Sequence, residues 1–265
     1  MSQQPIGVFD SGIGGLTVLK ELLDFLPNEN FVYFGDTARV PYGNKSADTV
    51  RRFSIENVKL LQERGVKMVV VACNTATADA LPALQAEFKL PIIGVIQPGV
   101  RAALAATHNH RIGVIGTAGT IRSMAYQNAI LAVSPDARVV SKACPLFVPL
   151  VEEGWTDTPV TRMVVEEYLK PFAGLSIDTL VLGCTHYPLL KPVIAALLGK
   201  AVTLVDSAVE ISREVGVVLK QQKLASKGPG GHFDIILSDT SPTFAEIASR
   251  FLGRRAPEIE LVSVR

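Results

Sequence analysis

A chain of 265 residues that is 48% hydrophobic and 19% charged has the composition of a compact protein of one large or two ordinary domains, which excludes a disordered chain. A net charge of +1 without a Lys/Arg-rich run leaves no electrostatic footprint for nucleic acid or a membrane surface, while a small anionic ligand stays open. No apolar stretch approaches the ~20 residues that span a bilayer, and residues 1–5 lack the regions of a signal peptide, so a cytoplasmic protein is expected.

In chain order, residues 6–9 form a short apolar strand that ends in Asp10-Ser11-Gly12, followed by Gly14-Gly15 and an amphipathic helix over 16–26. A second strand over 31–34 is closed by Gly35-Asp36-Thr37. The loop 38–44 carries Pro41-Tyr42-Gly43, and Ser46 is placed to cap a helix that runs to about residue 64. The strand 66–72 leads into Cys73, a helix over about 75–88 follows, and then a strand over 92–95. After Gln97-Pro98 the pattern restarts with a helix over 99–106, a strand over 111–115, the turn 116–120 and a helix to about residue 132. Residues 142–150, KACPLFVPL, read as strand-like. Pro159 opens a further helix behind Asp157 or Thr158. A strand over 180–183 leads into Cys184, with a helix expected from there to about residue 198. Then come a strand over 202–205, a helix to about 222 with Ser207 and Glu210 as a capping box, and an exposed glycine-rich loop over 223–231. A strand over 233–237, a helix capped by Ser241 and Pro242 that ends near Gly253, and a strand over 259–262 close the chain.

Strands alternating with helices predict parallel α/β sheets. The restart is more specific: IGVFDSGIG from Ile6 and IGVIGTAGT from Ile112 share their first three residues 106 positions apart. The second strands, near Phe31 and Arg138, keep nearly that offset, and Cys73 and Cys184 stand 111 positions apart. The expected fold is therefore two similarly wound parallel-sheet α/β domains related by pseudo-twofold symmetry, with the active site between them. Residues 1–97 plus 207–265 form the first domain and 98–206 the second.

Three cysteines in a reducing compartment are expected as free thiols. One such residue is usually a small buried hydrophobe, which suits Cys144. VVVACNTA (69–76) and LVLGCTHYP (180–188) instead repeat one arrangement, a buried strand that ends in a thiol followed by polar residues. Open α/β sheets bind ligands at that end of their strands. A free thiol has a pKa of ~8.5 and a helix dipole contributes only ~0.3–1 kcal/mol. Neighbours must set the protonation state, Asp10 for Cys73 and His186 for Cys184.

Other readings compete. The glycine turn at 10–15 resembles a dinucleotide loop with Asp36 as a ribose ligand, but Thr17 stands where the third glycine belongs. Asp10 would serve equally well as a helix cap. Zinc could use Cys73, Cys184, His186 and Asp10, although no C-x-x-C or H-x-x-x-H pair is present. A cysteine hydrolase could use Cys184 with His186 and would leave Cys73 without a role. A small-anion-binding protein with inert thiols needs no chemistry at all. Two thiols on opposite faces of one ligand suit racemisation, in which one group removes an α-proton and the other returns a proton to the opposite face.

Asp10-Ser11-Gly12-Ile13-Gly14-Gly15, Gly35-Asp36-Thr37 with Pro41-Tyr42-Gly43, Cys73-Asn74-Thr75-Ala76 and Gly183-Cys184-Thr185-His186-Tyr187-Pro188 together resemble the aspartate/glutamate racemase family over nearly the whole chain. The resemblance implies a cofactor-independent, metal-free, two-base interconversion of L- and D-glutamate that supplies D-glutamate for peptidoglycan. It further implies that Cys73 acts on the D-enantiomer and Cys184 on the L-enantiomer, with Asp10, His186 and Glu152 assisting. Substrate would be bound by Asp10, Ser11, Pro41, Tyr42, Gly43, Asn74, Thr75, Thr117, Thr120, Thr185 and His186. Glutamate would be the small-molecule partner. No nucleic acid or membrane partner is expected from the charge, and a homodimer is expected because small cytoplasmic enzymes are commonly twofold dimers. Regulation through an N-terminal extension, known in some members, is not expected with only residues 1–5 before the first strand.

Overall fold

The structure is a computed structural model that describes residues 3–228 and 230–264. Met1 and Ser2 of the leading stretch, Pro229 of the glycine-rich loop and Arg265 lie outside the described residues. The first six strands and helices that build one side of the molecule are β1 (Ile6–Asp10), α1 (Leu16–Phe25), β2 (Phe31–Gly35), α2 (Ala47–Glu63), β3 (Met68–Val71) and α3 (Asn74–Glu87), followed by β4 (Ile92–Gly94), after which α4 (Ile96–Ala106) crosses to pack on the second side. The second side is built from β5 (Arg111–Gly116), α5 (Ala118–Arg122), α6 (Ala125–Val133), β6 (Arg138–Ala143), α7 (Phe147–Glu152), α8 (Pro159–Leu169), β7 (Thr179–Gly183), α9 (Lys191–Leu198) and β8 (Thr203–Asp206). The chain then adds α10 (Ser207–Gln221), β9 (Phe233–Leu237), α11 (Phe244–Leu252) and β10 (Ile259–Leu261).

Every strand pairs in parallel. One sheet has the order β10-β9-β2-β1-β3-β4 and the other β6-β5-β7-β8. The duplication is visible in that order: β2-β1-β3-β4 matches β6-β5-β7-β8, and the tail adds β9 and β10 to the β2 edge. Register repeats with it, since Ile6 lies opposite Met68 in β3 and Ile112 opposite Thr179 in β7. β1, β2, β3 and β7 are buried at every residue, as continuous apolar runs covered by helices on both faces must be. One hydrophobic cluster holds Val8 and Tyr33 of the first sheet together with Leu180 and Leu182 of the second, so the halves share core. Helix α10 packs on both α1 and α4 and fastens them together.

Five local expectations change. Residues 142–150 are not a strand: β6 stops at Ala143, and Pro145 and Pro149 have no N–H to give a ladder, so Phe147–Glu152 is a short helix. The helix predicted from the turn 116–120 to about residue 132 starts earlier, at Ala118, and is broken into α5 and α6 at Met124, which adopts a left-handed conformation (φ 55°). Asp206, not Ser207, caps α10 by accepting the Ala208 N–H at 2.9 Å, while Glu210 pairs with Arg213 instead of closing a capping box. Helix α11 starts at Phe244, a turn later than Ser241 and Pro242 suggested. No α-helix opens directly behind Cys184: Tyr187–Leu190 is a single 3-10 turn, with Pro188 and then Pro192 removing donors, and α9 begins only at Lys191. Ser46 and Thr158 do cap α2 and α8 as expected, accepting from Thr49 and Thr161.

Candidate active site

The carboxyl ends of β1, β2, β3, β5, β6 and β7 converge on one cavity of about 380 Å³ between the two sheets. All the sequence-predicted site residues line it except Asp10 and Thr120, which stand behind its wall. Both thiols face it, Cys73 from the end of β3 and Cys184 from the end of β7, each about 5% exposed (6% and 5%).

Cys73 is the N-cap of the 14-residue helix α3: its sulfur accepts the Ala76 N–H at 3.5 Å and lies 3.6 Å from Ser11 Oγ. Burial and the nearby Asp10 carboxylate push its pKa up to about 12, and those two contacts only partly offset them. Asp10, 1% exposed at the end of β1, accepts the Gly12 N–H through Oδ2 at 3.0 Å. Its Oδ1 has no partner among the described residues. Burial raises its pKa, against the opposing charge of His186 and the turn amides. The turn itself is held from beneath, where Tyr33 Oη donates to the Gly12 carbonyl at 2.8 Å.

Cys184 has a different neighbour. His186 Nδ1 lies 3.8 Å from its sulfur, and Nε2 is 2.9 Å from Glu152 Oε1 at the end of α7. Burial alone would lower the imidazole pKa, but hydrogen bonds and charge from Cys184 and Glu152 outweigh it and hold it up at about 10. Those contacts favour the imidazolium over the neutral ring. Phe251 of α11 meets its ring edge to face, with centroids 5.3 Å apart.

The remaining wall is rich in neutral donors. Asn74 Oδ1 accepts from Tyr126 Oη at 2.7 Å, which leaves the buried Nδ2 without a partner among the described residues. Thr75, Thr117 and Thr120 hydroxyls lie 2.8–3.2 Å from one another and knit the two halves together. Thr185 and Ser11 add two more hydroxyls. Pro41, Tyr42 and Gly43 form the lip contributed by the β2 loop, and Gly43 packs so closely on Thr117 that a Cβ would come within 2.8 Å of the Thr117 Cβ. Asp36 sits under that lip, where it accepts from Tyr42 Oη, from Arg39 Nε at 2.8 and 2.9 Å and from Ser238 Oγ at 3.1 Å. Its acceptors are taken up inside the protein, so it is not the free carboxylate that a ribose ligand requires. Among the described residues, no three His, Cys, Asp or Glu side chains gather as a metal-ligand set.

Sequence reasoning missed the apolar wall of Pro145, Val148 and Pro149. The internal repeat held the signal: the loop after β6 is the counterpart of the Pro41-Tyr42-Gly43 loop after β2 and must reach the same cavity. It also missed the tail, since nothing in the order of residues announces that Phe251 backs His186 or that Arg250 Nη1 reaches the Glu152 carbonyl at 3.4 Å.

Residues 17–214 match the family model described as Asp/Glu/Hydantoin racemase. The chain is 51% identical over its full length to a glutamate racemase of Geobacter metallireducens, covering 98% of that protein, and 50% identical to one of Neisseria meningitidis, with 99% and 97% of the two chains covered. Among solved structures it is similar to a glutamate racemase of Bacillus anthracis (TM-score 0.95, 40% identity, 100% and 99% coverage). It is also similar to a glutamate racemase of Francisella tularensis in complex with D-glutamate (TM-score 0.94, 38% identity, 100% and 99% coverage).

Proposed function

The chain belongs to the Asp/Glu/Hydantoin racemase family, and on that premise we propose that it is a glutamate racemase in which one of Cys73 and Cys184 removes the α-proton and the other delivers its own proton to the opposite face. The observation that carries the reading is the pair of thiols at equivalent strand ends of one cavity. A planar carbanion must be reprotonated on the face opposite to deprotonation, and two groups on opposing walls do this in both directions. The thiols supply both proton transfers.

Burial makes Cys73 a stronger base than a free thiol, at the expense of resting in its protonated form. Cys184 instead has the His186 imidazolium beside its sulfur, ready to balance negative charge that develops there. When Cys73 delivers its proton to one face, Cys184 has just taken one from the other, and the two protonation forms of the enzyme interconvert with each turnover. By the family resemblance Cys73 serves D-glutamate and Cys184 L-glutamate. Asn74 Nδ2 and the Ser11, Thr75, Thr117 and Thr185 hydroxyls are suited to the two carboxylates, and the free Oδ1 of Asp10 behind Ser11 to the ammonium. Glutamate over aspartate rests on the named relatives, since one methylene is worth only ~1–3 kcal/mol in a pocket.

The product supplies D-glutamate for peptidoglycan. On the same reading residues 1–97 plus 207–265 and 98–206 are the two domains, and the enzyme is a cytoplasmic homodimer, which sedimentation velocity tests. No helix among the described residues is long and apolar enough to cross a membrane. Incubation with L-glutamate in deuterated water, without added cofactor, is expected to yield D-glutamate deuterated at the α-carbon, with aspartate turned over poorly. Recovery of unexchanged L-glutamate would refute the racemase and leave a binding protein with inert thiols.

A further inference from the structure

Thr17 has no part in the reaction described so far. It occupies the position where a dinucleotide loop carries its third glycine, and its surroundings explain why a glycine does not stand there. Thr17 lies in the first turn of α1, 7% exposed, with Oγ1 2.9 Å from the carbonyl oxygen of Gly14 and 2.9 Å from that of Thr185. The second contact spans 168 residues and crosses from one half of the molecule to the other. The Thr185 carbonyl belongs to the peptide that leads directly into His186. Gly14 is pressed against the same turn: a Cβ on it would stand 2.3 Å from Thr185 Oγ1 and 2.4 Å from His186 Nδ1. The glycine turn after β1 and the cysteine turn after β7 therefore meet without space between them, and the Thr17 hydroxyl is a donor at that junction.

We propose that Thr17 is a positioning residue, whose hydroxyl fixes the peptide between Thr185 and His186 and so holds the imidazole on Cys184. A buried carbonyl deprived of its donor reorients towards another. Rotation of that particular peptide swings the His186 ring away from a sulfur that it meets at only 3.8 Å. Cys73, fixed by the α3 cap and by Ser11, is untouched. The consequence is one-sided: loss of the hydroxyl impairs proton transfer at Cys184 and spares it at Cys73.

This inference rests on the racemase reading, and wild-type enzyme assayed alongside separates the two: wild type that does not racemise glutamate refutes the reading itself. Thr17→Val keeps the shape and removes the donor. It is expected to lower kcat about 10- to 100-fold, the scale of a lost supporting contact, with KM within about twofold of wild type. Thr17→Ser keeps the donor and should restore most of the rate; Thr17→Ala carries the expectation of Thr17→Val if that variant does not fold. Solvent exchange reads out the side affected. In deuterated water, D-glutamate should gain α-deuterium with retained configuration, because the carbanion formed by Cys73 waits for Cys184 long enough for the Cys73 thiol to exchange the abstracted proton for solvent deuterium, which Cys73 then returns to the same face. L-glutamate should show no such gain, because its first step is the slow one. Wild-type kcat in Thr17→Val, an equal loss in Thr17→Ser, or equal exchange with retention from both enantiomers would overturn the proposal.

Discussion

Cys73 and Cys184 stand at equivalent places in two copies of one winding, yet their surroundings differ. The first caps a long helix and faces a buried carboxylate. The second is followed by a single 3-10 turn and faces an imidazole paired with a glutamate. The shared part is geometric, with equivalent strand order and register that bring the two thiols to one cavity from the two sheets. The differing part is electrostatic. On the proposed mechanism racemisation asks for symmetry in where the proton is taken and returned, and it tolerates different means of holding it, because each thiol would only have to match the α-carbon and not the other thiol.

The strongest test of the shared part removes each thiol in turn. Cys73→Ser and Cys184→Ser are each expected to lower racemisation by about 10²–10⁴-fold or more, the worth of a positioned acid or base, with an unchanged far-ultraviolet circular dichroism spectrum. Since the enantiomers are equal in energy, kcat/KM must fall equally in both directions. Full activity in either variant would remove one thiol from the reaction.

Next in size is a change at the seam between the halves. Gly14→Ala places a methyl group 2.3–2.4 Å from Thr185 and His186 and must displace the turn that carries Cys184. A loss of about 10²-fold in kcat is expected, with a thermal midpoint lowered by the overpacking, worth ~1–3 kcal/mol. Wild-type kcat here would mean that the spacing of the two turns is not what sets the chemistry.

Which parts of this were legible in the sequence follows the same division. The buried strands announced themselves as apolar runs, and the repeated IGV with its near-constant offset placed both cysteines at the same level of two sheets. The helix behind Cys184 was misread because a period-3.6 pattern does not register two prolines that delay the helix by a turn. Residues 142–150 looked like a strand for the related reason that Pro145 and Pro149 sit among Leu, Phe and Val, which are as common in strands as in buried helices. The contacts that surround the second thiol's neighbours were out of reach, because Phe251 and Arg250 approach from the tail, and Thr17 meets Thr185 across 168 residues. Local pattern locates the thiols, whereas tertiary contact decides what stands beside them.

The differing part is tested by neutralising each neighbour. Asp10→Asn and His186→Asn are both expected to lower kcat by about 10- to 100-fold, but in opposite senses with α-deuterated substrate. The isotope effect should rise for D-glutamate in Asp10→Asn and for L-glutamate in His186→Asn. Removing the Asp10 charge also lets the Cys73 pKa fall from about 12, because a carboxylate disfavours the adjacent thiolate. Alkylation of Cys73 by iodoacetamide should then be faster at a given pH. Equal isotope effects in the two directions would assign both neighbours to binding alone.

The smallest effect is expected from Glu152→Gln. Its carboxylate is 42% exposed, so solvent screens the charge, and less than a tenfold loss of kcat is expected at pH 7. The diagnostic is the position of the basic limb. Burial pulls the His186 pKa down while Cys184 and Glu152 hold it up at about 10. Without the Glu152 charge the imidazolium loses its proton at lower pH, and the basic limb of kcat/KM should move towards neutrality. Stability moves in step. A histidine whose folded pKa exceeds its unfolded value of about 6.5 contributes stability that is complete below that value and is lost as pH rises through about 10. In Glu152→Gln the contribution should be smaller and its loss complete at lower pH, which thermal melts between pH 6 and 10 would show. A basic limb that stays in place would mean that Cys184 alone holds the proton on His186, and that the two thiols differ by one neighbour rather than by two.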